Sequence, residues 1–205
     1  MKTLLIIDVQ NDFLPGGSLE VPKGHEIISV INLIQDKFEL VVATQDWHPA
    51  NHISFASNHQ GKKPFSEVEL NGMTQILWPD HCVQNSFGSQ FHKDLNMTNT
   101  EAIFRKGMDR QIDSYSGFYD NGHKKNTGLN GYLRERKADE LFFCGLAADV
   151  CVWFSILDAR KEGFPVTLVE DATKPINEKK FGKIKGEMKN MGVTILSSVD
   201  IENQT

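Results

Sequence analysis

Reactive side chains stand at the ends of four short apolar runs in this chain: Asp8, Asp46, Lys106 and Cys151, the last closing Gly145-Leu146-Ala147-Ala148-Asp149-Val150-Cys151. A thiol, a carboxylate and an ammonium supply a nucleophile, a base for its proton and a clamp for developing negative charge. The chemistry they suit is attack on an acyl carbon. A helix predicted to begin near Val150 puts Cys151 in its first turn, where the positive end of the dipole favours the thiolate. The same turn aims backbone N–H groups above the sulfur, an oxyanion hole that needs no side chain, and the small residues Ala147 and Ala148 leave room for it.

A cysteine in an apolar segment is by default a packing residue. Cys144, inside a strand, keeps that reading; Cys151 leaves it only because of Asp8 and Lys106. Without the thiol, those two read as a structural ion pair on a sheet rim.

A second constellation is Asp46-Trp47-His48 with His81. Residues two apart in an extended segment share a face, so Asp46 and His48 can chelate one cation, and a loop histidine completes the set. Two imidazoles and one carboxylate leave coordination positions open, and zinc, iron(II) and manganese are all admissible. His52, four residues past His48, is read as supporting a ligand or packing the turn. His59, His92 and His123 read as solvated. Phe13, Trp78 and Tyr115 are each core residues by default, but together they form a slot for a flat ring.

The elements that must hold these groups are apolar runs at Thr3 to Ile7, Leu40 to Thr44, Glu101 to Arg105, Leu141 to Cys144, Val166 to Val169 and Val193 to Leu196. They are continuous rather than alternating, which predicts strands buried on both faces. Helical spacing covers Gly24 to Lys37, where Ile27, Ile28, Ile31 and Ile34 form one stripe, and also Val152 to Lys161 and Glu178 to Met191. The alternation predicts a single α/β domain with a central, mostly parallel sheet of about six strands and helices on both faces, a three-layer Rossmann-like fold. Ligands of such sheets bind beyond the carboxyl ends of the strands, where the four reactive groups lie. Pro49 to Gln75 and Gly107 to Gly131 carry little regular pattern and read as long functional loops. Residues from about 197 to 205 read as a flexible tail.

With 205 residues, 40% of them hydrophobic, the chain can bury one full core. A net charge of -5 offers no basic field for nucleic acid, so the expected partner is a small-molecule substrate. The three cysteines are irregularly spaced, which argues against a disulfide framework, the N-terminal apolar run reads as too short for a signal peptide, and no run is long enough to span a membrane. The expectation is a cytoplasmic protein, with no preference between a monomer and a homo-oligomer.

These segments together resemble the nicotinamidase branch of the isochorismatase-like cysteine hydrolases. The likeness runs over nearly the whole chain, on Asp8-Val9-Gln10-Asn11-Asp12-Phe13, Thr44-Gln45-Asp46-Trp47-His48-Pro49, His52-Ile53-Ser54-Phe55, Trp78-Pro79-Asp80-His81-Cys82-Val83, Arg105-Lys106-Gly107, Tyr115-Ser116-Gly117-Phe118 and Gly145 through Val152. It implies Asp8 as base, Lys106 as assisting lysine and Cys151 as nucleophile. It also implies a metal on Asp46, His48 and His81, most simply zinc, and Phe13, Trp78 and Tyr115 around the ring of nicotinamide or its analogue pyrazinamide. A cis peptide before Ala147, with the Ala147 and Cys151 amides as oxyanion hole, comes with the resemblance alone. Ala148 departs from the threonine of many relatives, and the counterpart of His52 is a metal ligand in some relatives and not in others. The competing readings are a relative acting on another small amide or carbamoyl group, an iron oxygenase with a structural Cys151, and a non-catalytic binding module.

Overall fold

The computed structural model describes residues 1–70 and 72–203. Its strands are β1 (Lys2–Ile7), β2 (Leu40–Asp46), β3 (Glu67–Leu70), β4 (Met73–Ile76), β5 (Thr100–Lys106), β6 (Glu140–Leu146), β7 (Val166–Lys174) and β8 (Thr194–Leu196). Six of them form one sheet in the order β5-β2-β1-β6-β7-β8, and every neighbouring pair in it is parallel. The helices are α1 (Ile27–Ile34), α2 (Leu129–Glu135), α3 (Cys151–Lys161), α4 (Glu178–Asn190) and α5 (Ser198–Glu202).

The isoleucine stripe of α1 is buried as its spacing requires, and each such side chain taken from water contributes about 1.5–3 kcal/mol. Both α1 and α3 pack on β6 and β7; the crossovers that contain them, β1 to β2 and β6 to β7, run in opposite directions, and right-handed connections then put the two helices on opposite faces of the sheet. From β1 the chain moves outward to β2, and from β6 it moves the other way to β7. The sheet therefore has its switch point between β1 and β6, where a crevice opens at the carboxyl ends. Asp8 and the Gly145 to Cys151 turn are the residues at that crevice.

Expected strands and observed strands agree in place, and the sheet is the six-stranded parallel one anticipated. Burial on both faces holds for β1, β2 and β6, but β5 is corrected: Glu101, Ile103 and Arg105 are exposed. It is an edge strand, and only its Ala102 and Phe104 side turns inward. The stretch 49–75 contains β3 and all of β4 but Ile76, an antiparallel hairpin, and α2 begins inside the stretch read as ending at Gly131. The expected tail is α5, held by a Ser197–Asp200 capping box, with Ile201 buried; residues 204–205 of that expectation lie outside the described residues. Among the described residues no helix is long and apolar enough to cross a membrane.

Candidate active site

Sheet register brings the first groups together. Asp46 and Lys106 are directly opposed at the ends of β2 and β5, and Ile7 opposes Gly145. Lys106 Nζ lies 2.7 Å from Asp46 Oδ1 and 2.9 Å from Asp8 Oδ2. It also donates to the Ser114 carbonyl at 3.0 Å and stands 3.5 Å from Cys151 Sγ. Thr44 donates to the other oxygen of Asp8 at 2.7 Å. Asp8 itself sits at a φ of 47°, a left-handed backbone rarely taken by a non-glycine residue, where the chain turns out of β1.

Cys151 opens α3, with the turn before it pressed against β1. A Cβ at Gly145 would meet the Ile7 carbonyl oxygen at 2.1 Å, and its φ is +103°, so only glycine serves here. The peptide between Leu146 and Ala147 is cis. The Ala148 amide donates to Lys174, and the Val150 and Val152 amides to the Ala147 carbonyl. Among the described residues the Ala147 and Cys151 N–H groups make no hydrogen bond within the chain, which leaves both to an incoming oxyanion.

Electrostatics of this cluster follow from burial. Lys106 is 2% exposed and Asp8 fully buried. Burial pushes the Asp8 carboxyl up, against the pull of Lys106. Burial works against the Lys106 charge, but Asp46 and Asp8 outweigh it and hold the ammonium well above its ordinary range. Cys151 is pushed well up by burial, with Lys106 opposing and both carboxylates adding to the rise. The helix start favours the thiolate, while burial and the two carboxylates favour the thiol. A base of raised pKa beside it is the complement that such a thiol needs.

The second constellation also converges. His48 Nε2 lies 3.5 Å from Asp46 Oδ1, and His81 Nε2 lies 3.7 Å from Asp46 Oδ2. His48 donates Nδ1–H to the Gly107 carbonyl at 3.0 Å, and His81 donates Nδ1–H to the Pro79 carbonyl at 2.8 Å. Those bonds leave both Nε2 lone pairs aimed at one point beside a carboxylate, the donor set of a divalent cation. Burial opposes ionisation of Asp46, yet Lys106 and then His48 hold it well below the usual range. Two buried carboxylates against one ammonium leave an excess negative charge that a cation at Asp46 would offset. Gly107 is required where it is: at φ +67° its Cβ would fall 2.3 Å from the His48 ring. A side-chain amide fixes the carboxylate's backbone, since Gln10 accepts from the Asp46 N–H and donates to the Asp46 carbonyl, both at 2.8 Å.

Phe13, Trp78 and Tyr115 line one pocket with Cys151, Ala147, Asp46 and His81. Trp78 donates Nε1–H to the Tyr115 hydroxyl at 3.3 Å, and the two rings are perpendicular with centroids 6.0 Å apart. Seven of the ten residues expected at the site line this pocket, and Lys106, Asp8 and His48 adjoin it through Cys151, Lys106 and Asp46; His59, His92 and His123 do not line it. Leu19, Asp113, Val150 and Ile176 complete the walls, and Gln75 of β4 donates to Asp113 Oδ2 and to the Tyr115 hydroxyl. None of these was singled out from sequence, nor were Gln10 and Thr44. The Asn71-Gly72 pair is the local signal for the hairpin that carries Gln75; Asp113 stands two residues before Tyr115 without any motif of its own.

The isochorismatase domain model matches residues 2–200. The chain belongs to the isochorismatase family. A family member from Escherichia coli (strain K12), a nicotinamidase, is 43% identical, with 98% of this chain and 97% of that protein covered. Among solved structures, a nicotinamidase/pyrazinamidase of Acinetobacter baumanii superposes with a TM-score of 0.95 at 46% identity, covering 98% of this chain and 97% of that one. The pyrazinamidase of Pyrococcus horikoshii in complex with zinc superposes with a TM-score of 0.79 at 36% identity, covering 96% and 98%. The isochorismatase fold is thus shared over its full extent.

Proposed function

We propose that this family member hydrolyses the carboxamide of nicotinamide to nicotinate and ammonia, as a step of NAD salvage, and accepts pyrazinamide as a ring analogue. The observation that carries the reading is one ammonium, Lys106, 2.9 Å from Asp8 and 3.5 Å from Cys151, the thiol itself lining an aromatic pocket together with Asp46 and His81. The activities of the relatives agree with it.

Cys151 passes its proton to Asp8 as sulfur attacks the carboxamide carbon, and the oxyanion is received by the Ala147 and Cys151 amides. Asp8 returns the proton to the departing nitrogen, ammonia leaves, and a thioester remains on Cys151. Asp8 then takes a proton from water, which attacks the thioester carbon; the C–S bond breaks, nicotinate leaves, and Asp8 returns the proton to the Cys151 sulfur. Lys106 stays charged throughout and limits the cost of negative charge on Asp8, on sulfur and on the tetrahedral centre. Asp46, His48 and His81 would hold a divalent cation, zinc by preference, which when bound would supply Lewis-acid recognition of the pyridine nitrogen. Phe13, Trp78 and Tyr115 hold the ring faces, so the carboxamide meets the nucleophile in one orientation. Three free, buried cysteines are in keeping with a cytoplasmic place of work.

The test is ammonia release from nicotinamide and from an unrelated aliphatic amide, with wild type and Cys151→Ala. Release from nicotinamide alone, lost in the variant, is the expected result; equal turnover of both amides, or an active variant, defeats the proposal.

A further inference from the structure

Behind the pocket lies a polar group that the chemistry above does not use. His52 is fully buried, and its ring centroid is 4.4 Å from that of His48. Its Nδ1 lies 2.7 Å from the Ser54 hydroxyl and receives the Ser54 backbone N–H at 3.2 Å. A backbone N–H can only donate, so Nδ1 carries the lone pair and Nε2 carries the hydrogen. His48 and His81 have the opposite arrangement, with Nδ1 against a carbonyl. Two imidazoles therefore offer lone pairs from Nε2, and the third offers a donor.

That donor meets no hydrogen-bond partner among the described residues, a costly state for a buried N–H. The Ile112 backbone carbonyl stands near enough to interact with the ring as an acceptor, but not at the geometry of a full hydrogen bond to Nε2. Asp113 is the other polar group at this spot: candidate ligand atoms of His48, His52 and Asp113 all lie within 4.8 Å of one another. Two atoms bonded to one water at tetrahedral angles lie roughly 4.6 Å apart. Asp113 accepts from Ser114 N–H at 2.8 Å and from Gln75 at 3.2 Å, and a carboxylate has capacity for more.

We propose that His52 and Asp113 form a solvent-holding site beside the metal centre, in which one water accepts from His52 Nε2–H, donates to Asp113 and offers its remaining lone pair to the cation. His52 is thus a positioning residue and not a ligand. The inference rests on the assignment of Asp46, His48 and His81 as ligands.

The zinc-loaded protein tests it by X-ray absorption, which counts imidazoles, together with zinc affinity measured against a chromophoric chelator. Wild type is expected to show two imidazoles. His52→Leu and Asp113→Ala are expected to keep two imidazoles while weakening zinc by about 10- to 100-fold, and His52→Gln, which retains a donor near the same point, to bind within a few-fold of wild type. Three imidazoles in wild type overturn the inference and leave the ligand assignment standing, as does zinc affinity unchanged in both truncated variants. Zinc that does not bind wild type removes the ligand assignment and this inference together. If His52→Leu fails to fold, the wild-type count and the Gln variant still decide the matter.

Discussion

The two halves of the site are built differently. The nucleophilic half hangs on the sheet: Asp8, Lys106 and Cys151 follow β1, β5 and β6, and parallel register alone brings their strand ends within reach. The ring-holding half hangs on loops: Trp78 and His81 follow the β3–β4 hairpin, and Asp113 and Tyr115 follow β5. What ties that half together is side-chain hydrogen bonding, with Gln75 holding Asp113 and Tyr115, and Trp78 holding Tyr115. Strand register tolerates little movement, so it suits bond-making. A wall of loops can adapt its shape to the ring at modest cost, so it suits recognition.

This contrast breaks most readily at the nucleophile. Cys151→Ala is expected to lower kcat on nicotinamide by at least roughly 10⁴-fold while nicotinamide still binds, as titration calorimetry would show. Loss of binding would mean that the two halves are not separable. Asp8→Asn keeps the shape of the buried cluster and removes only the base; a fall of about 10²- to 10⁴-fold in kcat is expected, read from steady-state ammonia release. A near-wild-type rate would move the proton to another group.

On the ring-holding side, Gly107→Ala places a methyl against the His48 ring. Zinc affinity is expected to drop by about 10-fold or more, with KM for nicotinamide rising more than kcat falls. Tyr115→Phe removes the hydroxyl that Gln75 and Trp78 share, about 0.5–1.5 kcal/mol of wall stiffness, and KM should rise about two- to tenfold with kcat nearly unchanged. The smallest effect is expected away from both halves: Ile103→Thr on the exposed side of β5 should shift stability by no more than about 0.5 kcal/mol in urea denaturation. A larger loss would mean that this edge is covered in solution.

Much of the nucleophilic half is legible before folding, because the rule that ligands sit beyond parallel strand ends applies to any run of buried apolar residues. That rule reaches Asp8, Asp46, Lys106 and Cys151 directly. It does not reach Asp113 or Gln75, which lie in segments without period, nor Gln10, whose partner Asp46 is distant in sequence. The seven-residue α2 is too short for a clear helical signal. Residue types do not reveal that β5 lies at an edge, because Glu101 to Arg105 would look the same with a neighbour on each side.

By itself the sequence determined the fold class, the strand ends that carry reactive groups, and, through resemblance, the family and its residues. The protonation of the site was decided only in three dimensions. Burial pushes both the Cys151 thiol and the Asp8 carboxyl up, although a helix start argues locally for a thiolate. The roles of three histidines parted in the same way, since backbone carbonyls face Nδ1 of His48 and His81 while a backbone N–H faces Nδ1 of His52. A residue's type states which protons and lone pairs it can offer; which one it offers is set by the groups that folding places against it.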